Sequence, residues 1–294
     1  MEKRNIFYTG GTVIFALLFY SLFLAAPADF PAGNIIRIEK GSNLRDISSL
    51  LKNDHMIKSR TAFEFFVLIF GGEKHIISAD YLFDGKLPVF EIARRIATGE
   101  QHMPPVSVTI PEGFNLTQIA DTFTAHLVNF NKAEFLTEAE SKEGYLFPDT
   151  YFFLSTDNEK NVIDSMSGNF TKKITPILPE IISSGKNEKE VITMASVIER
   201  EAKGEADRAI ISGILWHRVS IGMPLQVDAA PETYKTKGLP KSPIGNPGLL
   251  AIEASIHPQS SPYLYYLHDK NGNIHYAKTF TEHKVNEAKY LPSR

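Results

Sequence analysis

Glu199 stands in Ala195-Ser196-Val197-Ile198-Glu199-Arg200-Glu201, a stretch whose apolar and small residues read as a largely buried helix. A carboxyl among such neighbours tends to keep its proton near neutral pH, because burial disfavours the charged form. A protonated carboxyl in a cleft can protonate the leaving oxygen of a glycosidic bond. On a helix Ala195 and Ser196 lie one turn before Glu199, and Ala202 and Lys203 one turn after, leaving room for a bulky ligand on that face. Glu201 is two positions on, about 200° around the axis. It therefore reads as a solvated or structural charge, not a second acid beside Glu199. A glutamate taken alone is more often an exposed helix charge.

Other side chains could complete such a site. Glu143 and Asp149 flank aromatic residues in the loop-like segment Glu143-Gly144-Tyr145-Leu146-Phe147-Pro148-Asp149-Thr150-Tyr151, and Asp228 follows Leu225-Gln226-Val227. An acid placed across a cleft from Glu199 would make a two-carboxylate hydrolase. Asp149 reads equally as a turn residue beside Pro148, and Asp228 as a cap. Tyr145, Phe147, Tyr151, Phe152 and Phe153 could present faces to a sugar ring or build core. Gln226, Asn246 and His257 lie in segments rich in Pro and Gly, where they could hydrogen-bond N-acetyl or hydroxyl groups; His257, before Pro258, also suits a structural role.

Composition removes several alternatives. The chain of 294 residues has 0 cysteines, which excludes zinc fingers, thiol nucleophiles and disulfides. A formal net charge of -3 offers nothing to nucleic acid. No His/Asp/Glu spacing reads as a metal site, no glycine-rich phosphate loop is present, and Ser196 lacks the surroundings of a nucleophile elbow, so no metal or cofactor is expected.

The elements that must position these residues are legible in part. Ile35–Ile38 has strand character, Ser42 or Asn43 can cap a helix through Leu51, and Ser59 a second one that Gly71-Gly72 stops. Residues from His75 to Phe83 read as extended, and Pro88 suits the first turn of a helix ended by Gly99. Ile38, Gly41, Asn43, Leu44 and Ile47 recur as Ile110, Gly113, Asn115, Leu116 and Ile119 at a constant offset of 72, an internal repeat of strand, glycine turn and helix. Helices are expected over 134–140, 161–174, 189–203 and 207–219. Beyond Gly222 the chain is rich in Pro and Gly, then closes in a hairpin around Asn271-Gly272.

Glu2-Lys3-Arg4 precedes a mostly apolar run from Ile6 to Ala26, about the 20 residues that span a hydrocarbon core. The leading basic residues would keep that end in the cytoplasm. The rival reading is a cleaved signal peptide ending at Ala26-Pro27-Ala28, whose apolar core would ordinarily be shorter.

The chain resembles the endolytic murein transglycosylase (YceG-like) family. The resemblance rests on the 143–151 segment, on Ala195–Glu201, on Ile221-Gly222-Met223-Pro224-Leu225-Gln226-Val227-Asp228, on Gly238-Leu239-Pro240 with Pro243-Ile244-Gly245-Asn246-Pro247-Gly248, and on His257-Pro258 with Ser261-Pro262-Tyr263-Leu264-Tyr265. It implies an α+β fold with an inner-membrane anchor over 1–30, a small LysM-like subdomain over 31–105 and a periplasmic catalytic domain over 106–294. It implies that Glu199 is the catalytic acid/base; Glu143, Asp149, Tyr151, Gln226, Asp228, Asn246 and His257 stand beside it as substrate-binding candidates read from their residue types and places in the chain. The implied reaction is non-hydrolytic cleavage of the β-1,4 bond between N-acetylmuramic acid and N-acetylglucosamine within nascent peptidoglycan strands, leaving 1,6-anhydro ends. Peptidoglycan synthases are the implied protein partners. One departure stands out: the segment between Asp228 and Gly238 is shorter than is common in the family. Two readings remain beside this one, a muramidase-type hydrolase using Glu199 with Asp228 or Asp149, and a noncatalytic peptidoglycan-binding scaffold.

Overall fold

The computed structural model describes residues 2–39, 41–72, 76–202 and 204–291. The chain divides into two compact units, Met1–Pro104 and Pro105–Arg294.

The first unit opens with α1 (Glu2–Phe19), which runs on through a π-helical turn, Tyr20–Leu24. Among the described residues no helix is long and apolar enough to cross a membrane. The spanning helix expected over 6–26 is thus not seen as a single element. Polar residues fill its first turn and the α-helical part stops at Phe19, short of the ~20 apolar residues a span needs. Val13, Phe15, Leu17 and Leu22 are nonetheless exposed, while Leu24 and Ala26 pack on the core of the unit. That core is built by β1 (Ile35–Arg37), α2 (Leu44–Asn53), α3 (Arg60–Ile69), β2 (Asp80–Leu82) and α4 (Val89–Thr98). β1 and β2 pair antiparallel, with Ile36 opposite Tyr81. Asn43 and Ser59 cap α2 and α3 by accepting from the N–H groups of Asp46 and Ala62, and Gly99 ends α4 at φ +75°. The extended stretch expected from His75 narrows to β2; His75 itself lies outside the described residues.

The second unit begins with the same order: β3 (Val106–Thr109), α5 (Leu116–Thr124), α6 (Lys132–Glu138) and β4 (Thr150–Phe153), with β3 and β4 antiparallel. The repeat in the sequence is therefore a repeated strand–helix–helix–strand unit. Its matched positions do matched work. Ile38 and Ile110, Leu44 and Leu116, and Ile47 and Ile119 are all buried. Asn43 and Asn115 both cap a helix, and Gly41 and Gly113 take left-handed φ of +88° and +79° that L side chains avoid.

The rest of the second unit is α7 (Glu159–Ile174), α8 (Leu178–Ser183), α9 (Glu188–Glu201), α10 (Glu205–Ser220), α11 (Leu249–Ile256), the hairpin β5 (Tyr265–His268) and β6 (Ile274–Ala277), and α12 (Phe280–Tyr290). α9 is central: Val191, Ile192, Met194, Ala195, Val197 and Ile198 are all buried. Helix α11 falls in a segment that reads as irregular. Leu249-Leu250-Ala251-Ile252 carries no helical periodicity, because α9 and α10 both cover it. Four of the five clustered aromatics build core or its margin, and only Phe152 faces out.

Candidate active site

The two carboxylates of Glu199-Arg200-Glu201 leave α9 in nearly opposite directions, and the structure gives them different surroundings. The Glu199 side chain is only 6% exposed. Its Oε1 accepts from Arg208 Nη2 at 3.1 Å, and its Oε2 from the backbone N–H of Gly248 at 2.9 Å. Arg208, on α10, also lies 3.8 Å from Glu112 in the turn after β3. Glu199 thus joins α9 and α10 to the residue that begins α11. The apolar face expected around it is instead a guanidinium and a peptide N–H. The α9 sequence cannot signal this, because both donors come from segments that fold back onto the helix.

Glu201 lines a cavity of about 770 Å³ together with Arg200, Arg218, Gln226, Asp228, Tyr234, Tyr265, Tyr266, His268, His283 and Glu287. Tyr266 Oη donates to Glu201 Oε2 at 2.8 Å. Burial pushes the Glu201 carboxyl above its ordinary pKa. The Asp228 charge pushes the same way, against the Tyr266 hydrogen bond and the charges of Arg218 and Arg200. Of the two readings of Glu201, the solvated one is corrected here, since the carboxylate is largely buried and hydrogen-bonded to Tyr266. The hairpin β5–β6 and α12 close over that side of α9, and a sequence reading of the helix alone does not contain them.

Arg218 on α10 organises the cavity from behind. It is buried, its Nε donates to Leu264 O at 2.7 Å and its Nη1 to Leu225 O at 2.6 Å. Its guanidinium lies 5.4 Å from the Tyr265 ring centre and 6.0 Å from that of Tyr266. One side chain therefore ties the entrance of β5 to the loop that carries Gln226 and Asp228. In that loop Leu225 and Val227 are buried, so the alternating Gln226 and Asp228 point out into the cavity. Gln226 takes φ +55°, a left-handed conformation rare for a side chain of its size and a mark of local strain at the cavity wall. Tyr234 Oη donates to Asp228 Oδ1 at 2.5 Å and holds that carboxylate in place.

The other candidates lie outside this cavity. Asn246 is fully buried. Its Oδ1 accepts from the N–H groups of Gly144 and Leu146, and its Nδ2 donates to Phe114 O and Glu143 Oε1. All four hydrogen bonds of an amide are thereby made. Glu143 also accepts from the N–H of Leu116, at the start of α5, and burial pushes its pKa up. Asp149 accepts from the Thr150 N–H and Asn169 Nδ2 beside Lys173. These outweigh its partial desolvation and hold it below the usual carboxylate range. Tyr151 lies in β4, buried, donating to Phe147 O, so the expected loop ends as a strand. His257 pairs with Glu180 on the surface, 2.7 Å apart. Of the eight side chains singled out as site residues, the cavity gathers Gln226 and Asp228. The sequence missed Arg218, Tyr234 and Tyr266 there, because they come from α10, the stretch after Asp228 and β5, and only folding brings them to one cavity.

Comparison with known proteins agrees with this architecture. The endolytic murein transglycosylase of Bacillus subtilis is 28% identical over 309 residues, covering 88% of this chain and 85% of that protein. The protein of the same name from Streptococcus pneumoniae serotype 2 is 26% identical, and the alignment spans 58% of its length. The crystal structure of a YceG-like protein from Listeria monocytogenes superposes with a TM-score of 0.57 at 26% identity, covering 86% of this chain and 99% of that one. The YceG-like family matches residues 36–232 and 231–289, which takes in the first unit from residue 36 onward and nearly all of the second, and the chain belongs to it.

Proposed function

We propose that the protein is a peptidoglycan lytic transglycosylase whose acid/base is Glu201, with Glu199 a structural anchor. The observation that carries this reading is the Glu201 carboxyl. It lines a large polar and aromatic cavity, and burial favours its protonated form. The murein transglycosylase relatives supply the substrate class. Glu199 is less suited to the role, since both its oxygens are engaged and its side chain is nearly enclosed.

In this mechanism Glu201 gives its proton to the glycosidic oxygen as the bond from C1 breaks. The resulting carboxylate takes the proton from the 6-hydroxyl of the muramoyl residue, whose oxygen bonds to C1. A 1,6-anhydro end and a free 4-hydroxyl result, and Glu201 is protonated again. Tyr234, Tyr265 and Phe280 offer ring faces to sugar. Asp228 in the same cavity favours a second reading, a hydrolase in which it activates water. The ends released from uncrosslinked glycan decide the matter by mass: anhydro ends support the transglycosylase, ends with added water the hydrolase. Binding without cleavage would support a scaffold.

The exposed apolar side chains of Val13–Phe23 support anchoring of the first unit in the inner membrane, with the second unit in the periplasm. Protease protection in spheroplasts tests this. The β1-α2-α3-β2 order supports a LysM-like role in holding glycan. Synthases of nascent strands would then be partners, and a failure to co-purify after crosslinking would refute that.

A further inference from the structure

We propose that Tyr266 is a positioning residue: its hydroxyl, donating to Glu201 Oε2, reserves that oxygen as an acceptor and leaves Oε1 to carry the transferable proton. This inference rests on Glu201 as the acid/base. Oε2 is 2.8 Å from Tyr266 Oη, and Oε1 has no protein hydrogen bond among the described residues. The phenol is rigidly held. Tyr266 is opposite Tyr276 across the hairpin, and the Arg218 guanidinium, fixed to Leu264 and Leu225, sits against its ring. Burial and the Glu201 charge raise the Tyr266 pKa well above its ordinary value, so it stays a donor while Glu201 cycles.

The contact has a direction. A hydroxyl donating to a carboxyl stabilises the charged form more than the neutral one. Tyr266 therefore strengthens its hold after Oε1 has released its proton to the leaving oxygen, and steadies the carboxylate that next accepts the 6-hydroxyl proton. Tyr266 keeps its own proton throughout. Other charges face the same cavity: Arg200 from α9, Arg218 from α10, Asp228 with Tyr234 from the following loop, His268 from β5, and His283 with Glu287 from α12. Asp228 opposes ionisation of Glu201 and the two arginines favour it. Tyr266 adds to the arginines a neutral donor in direct contact, the one seen among the described residues.

The test is Tyr266→Phe in the full chain, read by the pH profile of glycan cleavage and by carbon-13 titration of labelled Glu201, assigned with Glu201→Gln. Losing a donor to a charged acceptor should move the Glu201 midpoint and the alkaline limb of activity upward together by about one pH unit. The maximum kcat should fall roughly tenfold at unchanged KM. 3-Fluorotyrosine at position 266 keeps the shape and is a stronger donor, so it should move both downward. Profiles that superpose on the wild type in the fluorinated protein overturn the proposal, whatever the fate of Tyr266→Phe. Full activity of Glu201→Gln would instead overturn the acid/base assignment beneath it.

Discussion

Glu201→Gln and Glu199→Gln differ by two positions and should fail in different ways. Removing a general acid/base typically costs about 10² to 10⁴ in rate, or roughly 3 to 5 kcal/mol of barrier. Glu201→Gln should lose activity on that scale and keep its fold, because glutamine can still accept from Tyr266 Oη. Glu199→Gln should act on stability. The ion pair it breaks is mostly enclosed, with side chains 6% and 14% exposed, so screening by solvent is weak. Uncoupling one partner of a buried pair costs about 3–5 kcal/mol, because Arg208 is left charged and underpaired. Glutamine still accepts from the Gly248 N–H, which argues for the lower figure. For a unit of this size, about 3 kcal/mol lowers Tm by roughly 6–12 °C. Scanning calorimetry beside mass analysis of glycan ends, both on the full chain, measures the pair. A Glu201→Gln protein with wild-type turnover, together with a Glu199→Gln protein that keeps its Tm and is inactive, would refute the assignment and return the role to Glu199.

Three further outcomes are expected. Asn246→Ala should destabilise the second unit by about 3 kcal/mol or more in urea unfolding, since the buried Gly144 and Leu146 N–H groups lose their acceptor, while the Phe114 carbonyl keeps the backbone N–H of residue 246. Gly213→Ala should destabilise despite the ~1 kcal/mol gained in helix propensity. The new Cβ would stand 1.9 Å from the Gln259 carbonyl oxygen, and that backbone is tied to Ala209, so overpacking wins; an unchanged midpoint would count against it. In the first unit, hydrogen bonds from Arg94 and then Arg95 outweigh desolvation and hold the Glu91 carboxyl at about 2, below its ordinary 4.5. A depressed carboxylate stabilises fully above its unfolded pKa and loses that contribution as pH falls toward 2. Glu91→Gln should therefore be less stable than the wild type near neutrality, with the gap closing between about pH 4.5 and 2 in thermal melts.

What the sequence determined by itself is the local grammar. The repeat at an offset of 72 marks two glycine turns and two asparagine caps, because left-handed φ and capping are properties of a few consecutive residues. Asn271-Gly272 marks the hairpin, and the 3.6-residue period already sends Glu199 and Glu201 to opposite sides of α9. Tertiary structure alone decided which of those sides is a cavity. Arg208 and Gly248 cover Glu199, while Asp228 and Tyr266 come to Glu201 from 27 and 65 residues along the chain. Asn246 shows the same limit from the other direction: its type and its Pro/Gly-rich surroundings suit a sugar ligand, yet four backbone and side-chain groups a hundred or more residues away use up its amide. Burial and partners are properties of segments brought together, and it is these, not residue type, that separate the proposed proton donor from the proposed anchor.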